Sequence, residues 1–439
     1  MTWNISYFYF MREDYLHYLW RYQKLDHQEM RTADGLPVKV ISPGAHNLLS
    51  GPDFFNSRVL IGDQEWAGNV EIHLRSSDWY MHSHESDPAY DNVILHVVWV
   101  HDVEVFRKDN TSLPVVEICH LVAPETVNSY EDLCSNNGNR WINCQNDFGE
   151  VDDFFLNNWL ERLYVERLEK KSLLINHIFE NLAGDWEAVL FKMLAKNFGL
   201  NINGDAFLSV AASIPFSVVR KLRGNRLQLE AIFQGQAGLL SGDCEEPYFL
   251  SLKEEYNYLR KKFRLNAQGV LPVKYFRLRP DNFPEVRLAQ LAGIYNKHAS
   301  LFNVLINCAQ AKDLYKILEV EVNDFWKTHY TFYKSHSPKR KALSTNFMDL
   351  LIINTVVPLK FCYARSKGKE EGWEEFSMIE AVAPEENQVI KKFSSLRPQV
   401  AVNALRSQAL LQLKNEYCDK NACLNCAIGV KLLQREPQF

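Results

Sequence analysis

Short β-rich runs come first along the chain and long helical runs follow. The runs "LPVKVIS", "SRVLIG", "GNVEIHLR", "NVILHVVWV" and "LPVVEICHLV", between residues 36 and 122, are bounded by Gly, Pro, Asn or Asp. Several alternate apolar with polar residues, which predicts five strands. The run from Val93 to Val100 is apolar almost throughout and is expected to be buried on both faces. Ahead of the strands, "REDYLHYLWRYQK" spaces Tyr15, Leu19 and Tyr22 by four and three residues, as an amphipathic helix does. Between the third and fourth runs, "SSDWYMHSH" offers Ser and Asp as N-caps and Trp79 as a core anchor, so a short helix fits there. One helix with about five strands describes an α/β domain over residues 1–125.

Residues 126–150 are polar and turn-rich and read as a connecting segment. After Asp152 and Asp153, both good N-caps, the spacing becomes helical and carries acid–base pairs such as Glu166 with Lys170. Further helices are expected around 185–197, 226–240, 248–262, 284–309, 312–334 and 398–415. Within this half "SHSPKRKALST" is a weak linker and "RSKGKEEGWEE" an exposed loop. The fold class expected is therefore α/β plus all-α, with a mixed-sheet domain followed by a larger, mainly helical domain over 151–439. No fixed-period repeat or low-complexity tract is present.

Composition narrows the function classes. At 439 residues with 46% hydrophobic content, the chain suits two or three globular domains. No run approaches the roughly 20 apolar residues of a membrane span, and the first residues lack the basic region and small-residue cleavage site of a secretory leader. Nine irregularly spaced cysteines favour reduced thiols or a metal site over a disulfide framework, so a cytoplasmic location is expected. Charge is distributed unevenly: residues 1–150 hold 10 Lys+Arg against 22 Asp+Glu and nine of the 13 histidines, while the remainder is mildly basic. That asymmetry suits a cation-binding centre attached to a surface for a polyanion.

The stretch "SGPDFFNSRVLIGDQEWAGNVEIHLRSSDWYMHSH" concentrates groups that are costly to bury unpaired. Side chains alternate on a strand, so Glu71, His73 and Arg75 share one face. Asp53 follows a Gly-Pro turn and opens the preceding strand, where its carboxylate can approach that of Glu71. Such a pair suits Mg2+ or Mn2+, which can activate water and neutralise charge on a phosphodiester. The order resembles the PD-(D/E)XK nuclease core: a helix that could offer Glu13, Pro52-Asp53 at a strand start, Glu71-Ile72-His73 on the next strand, and then a buried strand. The resemblance implies a restriction-endonuclease-like N-terminal domain with Asp53 and Glu71 on the metal. His73 stands where that core has Lys; Arg75 or Lys39 are the available substitutes. On a wider scale "GPDF", "GNVEIHLRSSDW", "YDNVILHVVW", "EAIFQGQAGLL", "FRLRPDNFP", "NTVVP", "SQALLQLKNEYC" and "CLNCAIG" resemble an uncharacterised bacterial family, domain of unknown function 2851, which brings no activity with it.

Other chemistry is available. His82 and His84, with His73 or His96, could bind zinc or iron, whereas His96 and His101 read alone are hydrogen-bonded core residues. Cys418, Cys423 and Cys426 form C-x4-C-x2-C, most of a zinc or iron–sulfur ligand set, with Cys144 or Cys134 as the fourth thiol; the arrangement resembles that of RecB-type nucleases with an iron–sulfur staple. Lys274, Arg277, Arg279 and Arg287 interleave with Tyr275, Phe276 and Phe283, which suits phosphate contact and base stacking or, alternatively, a structural corner. Three functions stay open: a metal-dependent nuclease on DNA or RNA, a noncatalytic nucleic-acid or protein adaptor, and a His-ligated metalloenzyme.

Overall fold

The computed structural model describes residues 11–47, 49–134, 140–368 and 373–434. It forms two compact units, one running to Trp159 and resumed from Lys414, the other spanning Leu160–Leu413. The first is built on a mixed sheet and the second is mainly helical. The chain thus follows the expected order, except that its C-terminal stretch returns to the sheet unit.

Six strands make the sheet: β1 (Val38–Ser42), β2 (Ala45–His46), β3 (Phe54–Ile61), β4 (Gln64–Arg75), β5 (Val93–Val100) and β6 (Val115–Glu117). Their order is β1-β3-β4-β5-β6, with β2 also paired to β3. β1, β3 and β4 are antiparallel neighbours, whereas β5 and β6 run parallel to β4. A parallel return needs a crossover, and the segment carrying the short helix α2 (Asp78–Met81) supplies it.

The sheet is covered on both faces. Val70, Ile72, Leu95, Val97 and Trp99 share a core with Tyr15, Leu16, Leu19 and Trp20 of helix α1 (Glu13–Arg21) and with Val127 and Tyr130 of helix α3 (Pro124–Cys134). Val93, Val98 and Val115 pack in a second cluster with Trp79 and Tyr90. This double covering is why β5 carries an almost unbroken apolar run. α1 begins with Glu13 and Asp14 and ends with Arg21, charges that complement its dipole.

The polar stretch 126–150, expected as a connection, contributes to this unit: most of α3 lies in it, and Phe148 is fully buried. Residues 135–139 of that stretch lie outside the described part, as do residues 369–372 of "RSKGKEEGWEE".

In the second unit the Asp152 carboxylate accepts from the Phe155 N–H at 2.9 Å and starts the 29-residue helix Asp153–Asn181. Several expected helices are interrupted. The span 284–309 is two helices, Pro284–Lys297 and Leu301–Ile306, because His298 is extended. The span 312–334 is Ala311–Leu318, Asp324–Thr328 and a small hairpin, His329–Thr331 with Lys334–Ser335. The last helix starts at Ala404, where the Asn403 side chain caps it, later than residue 398. In "SPKRKA" residues Ser337, Pro338, Lys339 and Arg340 are exposed, as in a solvated loop, whereas Lys341 is buried and donates to the Trp326 and His329 carbonyls.

Among the described residues one helical stretch, Thr345–Ser366, is long and apolar enough by length and composition to cross a membrane. Its apolar window is 72% buried inside the protein, it is interrupted by a π-helical turn at Ile352–Val356, and it buries Asp349 and Lys360. A core helix of the second unit accounts for all of this.

Gly68 lets β4 approach β5. A Cβ there would lie 2.4 Å from Ile94 Cγ2 and 2.7 Å from the Asn92 carbonyl. Gly68→Ala is expected to cost about 1–3 kcal/mol through overpacking, measured as a lower denaturation midpoint of the sheet unit; an unchanged midpoint would mean that the two strands are further apart.

Candidate metal centre

The site arises because β4 outruns β3. Phe54 is the last β3 residue paired with β4, opposite Val70, so from Glu71 onward this edge of β4 has no strand beside it. Asp53, immediately before β3, takes over that edge. Its Oδ2 accepts from the Ile72 N–H at 3.0 Å, and its own N–H donates to Glu71 Oε2 at 3.1 Å. Two carboxylates 18 residues apart in sequence are thereby fixed side by side. A bulge helps to aim them: Phe55 and Asn56 fall between the pairs Phe54–Val70 and Ser57–Gly68, and Asn56 has a positive φ of 56°.

α1 brings two more groups. Glu13 and His17 are one turn apart on the same side of the helix. His17 Nε2 lies 3.2 Å from Asp53 Oδ2, and Glu13 feels the charge of Asp53.

Imidazoles form the other wall. His73 is buried, with Nε2 3.4 Å from Glu71 Oε1 and Nδ1 2.9 Å from His96 Nε2. His84 Nε2 also lies 3.4 Å from Glu71 Oε1, and its ring stacks on Tyr90. His82 Nδ1 lies 3.1 Å from His73 Nε2. Ligand atoms of His73, His82 and His84 all fall within 4.8 Å of one another. His73 is buried, His84 half-buried and His82 exposed, so the trio leads from the core to solvent. Ser83, between the two crossover histidines, has φ 60°, a left-handed turn that costs energy in a residue other than Gly.

Burial and crowding control the charges. Burial, with the Asp53 charge added, pushes the Glu71 carboxyl up to about 9. Glu13 is raised by burial and then by Asp53. Burial alone would lower His17, but the bond to Asp53 and the neighbouring carboxylates outweigh it and raise it. His73 is pushed down to about 3, chiefly by burial and then by His84, His82 and His17. His96 is held well below its ordinary value, first by burial. The site therefore holds His73 and His96 as neutral imidazoles beside a Glu71 carboxyl kept protonated by its surroundings. A divalent cation fits this donor set, since it would displace that proton and meet carboxylate oxygens and neutral ring nitrogens.

The residues named from sequence divide accordingly. Asp53, Glu71, His73 and Glu13 come together, and so do His82, His84 and His96. Arg75 shares the strand but is exposed at its end, where its N–H donates to Asp78 Oδ2. Lys39 pairs with Leu60, seven residues along from Asp53, which at about 3.3 Å per residue is roughly 23 Å away; it does not reach the site. His101 bonds Ser76 Oγ at 3.1 Å, as a structural histidine. Sequence reasoning passed over His17; its i, i+4 relation to Glu13 was the available signal.

In the second unit Lys274, Arg277 and Arg279 are exposed on an irregular segment, without the shared strand face an extended path would give. Arg277 has φ 63°, stacks on exposed Phe276, and lines a cavity of about 750 Å³ with Arg167 and Lys196. Arg287 is buried over the Phe347 ring at 3.5 Å and bonded to Gln290 and Asn282, so it is a structural residue. The cysteine candidates gather beside α3.

The family model described as "Protein of unknown function (DUF2851)" matches residues 13–388. The chain belongs to this family. Searches of curated proteins and of solved structures return no match. The span matched in DUF2851 includes every carboxylate and histidine of the site, from Glu13 to His96.

Two outcomes follow from the charges. Glu71 has a folded pKa of about 9 against an ordinary 4.5, so metal-free protein loses stability as pH rises through that window. His73, about 3 against 6.5, acts oppositely and costs stability as pH falls. Glu71→Gln is expected to raise the stability of metal-free protein at pH 8, on the order of 1–4 kcal/mol, with the gain shrinking towards pH 5. It should also abolish the increase in melting temperature that Mn2+ is expected to give the unaltered chain. Chemical denaturation and thermal melts at both pH values check this, and a Glu71→Gln chain less stable at pH 8 would contradict it.

Proposed function

We propose that this chain is a metal-dependent phosphodiesterase acting on nucleic acid, with its centre at Asp53 and Glu71. The observation that carries the reading is the reciprocal pair of bonds that holds these two carboxylates together at the open edge of β4. The order of elements supports it: helix with Glu13, Asp53 at a strand start, Glu71-Ile72-His73 on the next strand, a crossover, then a strand buried on both faces. In a restriction-endonuclease-like arrangement of this kind, Asp53 and Glu71 hold the ion, with Glu13 beside them. His73, neutral and 3.4 Å from Glu71, takes the place of the lysine. Uncharged, and with Nε2 facing Glu71 and His82, it can orient a metal-bound water or ligate the ion itself. Imidazole beside carboxylate favours Mn2+ or Zn2+ over Mg2+ alone.

Exposed Arg277 and Phe276, with Arg167 and Lys196 on the same cavity, give the second unit the basic and aromatic groups that hold a phosphate backbone. The convergence of His73, His82 and His84 favours a second reading, a histidine-ligated metalloenzyme with Glu71 as its acid.

Cleavage of single- and double-stranded DNA and RNA with Mg2+, Mn2+ or Zn2+ tests the proposal. Asp53→Asn and Glu71→Gln should each lower the rate at least about 100-fold while the protein stays folded. His82→Ala should act as strongly only under the histidine-ligated reading. Arg277→Ala should weaken nucleic-acid binding and reduce its log–log salt slope by about 1. No cleavage of any of these substrates by the metal-loaded chain would overturn the assignment.

A further inference from the structure

The C-terminal segment folds back on the sheet unit around a set of thiols. The π-helical turn Leu413–Cys418 ends at the first of them. Asn421, with φ 51°, then reverses the chain, and the Ala422 N–H reaches back to the Tyr417 carbonyl at 2.8 Å. Cys423 opens the tight turn Cys423–Asn425, and Cys426 stands at the N-cap position of the helix Ala427–Leu433. Gly429 shows how closely these pieces pack, because a Cβ there would stand 2.2 Å from the Cys423 carbonyl oxygen. Cys144 comes from far earlier in the sequence and packs against the same core as Cys423.

The thiols gather in one place: Cys134, Cys144 and Cys423 pack in the same core, Cys423 and Cys426 are both buried, and the Cys426 N–H donates to the Cys423 carbonyl at 3.2 Å, as the Asn421 N–H does to that of Cys418. Cys418 and Cys144 each lie close enough to Cys423 and Cys426 to feel their charge. Cys134 differs, since its strongest tie is a hydrogen bond to Cys423. This selects Cys144 over Cys134 as the fourth member.

An amide donor is directed at one of these sulfurs: Asn143 Nδ2 donates to Cys423 Sγ at 3.3 Å. A thiol is a weak acceptor, and an ordinary buried cysteine packs as a small apolar group needing no such donors. N–H groups directed at sulfur are the outer layer expected around metal-bound thiolates.

We infer that Cys144, Cys418, Cys423 and Cys426 ligate a thiophilic metal centre, zinc or an iron–sulfur cluster, which fastens the C-terminal segment to the sheet unit. On binding, each thiol releases its proton to solvent and its sulfur forms one bond to metal. The centre is independent of the carboxylate site.

The test is metal and acid-labile sulfide analysis of the full chain purified without oxygen, with visible absorbance recorded. The expected result is about one zinc, or about four irons with matching sulfide, per chain. Cys423→Ser and Cys426→Ser should lose it, while Cys308→Ser and Glu71→Gln should keep it, which separates this centre from the carboxylate site. If the serine variants do not fold, thiol titration of the unaltered native chain decides: stripping the metal should expose about four additional reactive thiols. The inference is overturned if the chain carries no such metal both as purified and after reconstitution with zinc or with iron and sulfide. It is equally overturned if the serine variants retain the metal, or if stripping leaves thiol reactivity unchanged.

Discussion

The site depends on an edge of β4 that β3 leaves unpaired. A strand edge needs partners for its N–H and C=O groups, and here one of those partners is a carboxylate: Asp53 accepts the Ile72 N–H that β3 no longer reaches. Glu71 accepts the Asp53 N–H in return. The two bonds do the ordinary work of a β-ladder, and as a by-product they hold two acids together at a place that His82 opens to solvent.

That arrangement is unfavourable without a cation. Glu71 is buried beside another carboxylate and keeps a proton well above the usual carboxylate range. His73 and His96 are held neutral by burial, so neither supplies positive charge to Glu71. His17 is raised, by Asp53 and its acidic neighbours, against the effect of its own burial. A fold that kept these groups for stability alone would gain from replacing Glu71 with an uncharged residue. Their joint presence is explained if a divalent ion completes the site.

Much of this was legible in the sequence, and the reasons differ by element. The strands showed because two-sided burial and turn residues leave a strong pattern, as at Val93–Val100. The pairing of Asp53 with Glu71 could be inferred from a two-strand turn. His17 was hidden because a lone histidine on an amphipathic helix has no local signature; only the three-dimensional approach of α1 gives it a partner. Arg287 misled for the opposite reason: in sequence it belongs to a basic–aromatic cluster, whereas in the fold it is buried on Phe347. The broken helices around His298 and Val322 depend on contacts between distant residues, such as Arg226 with the Glu321 carbonyl, which local periodicity does not encode.

The most direct test of the central claim is anomalous X-ray scattering at the manganese absorption edge from crystals equilibrated with Mn2+. The account predicts a peak bonded to both Asp53 and Glu71, with a ring nitrogen of His73 or His84 within reach. Full manganese loading with no peak between those two carboxylates would contradict it.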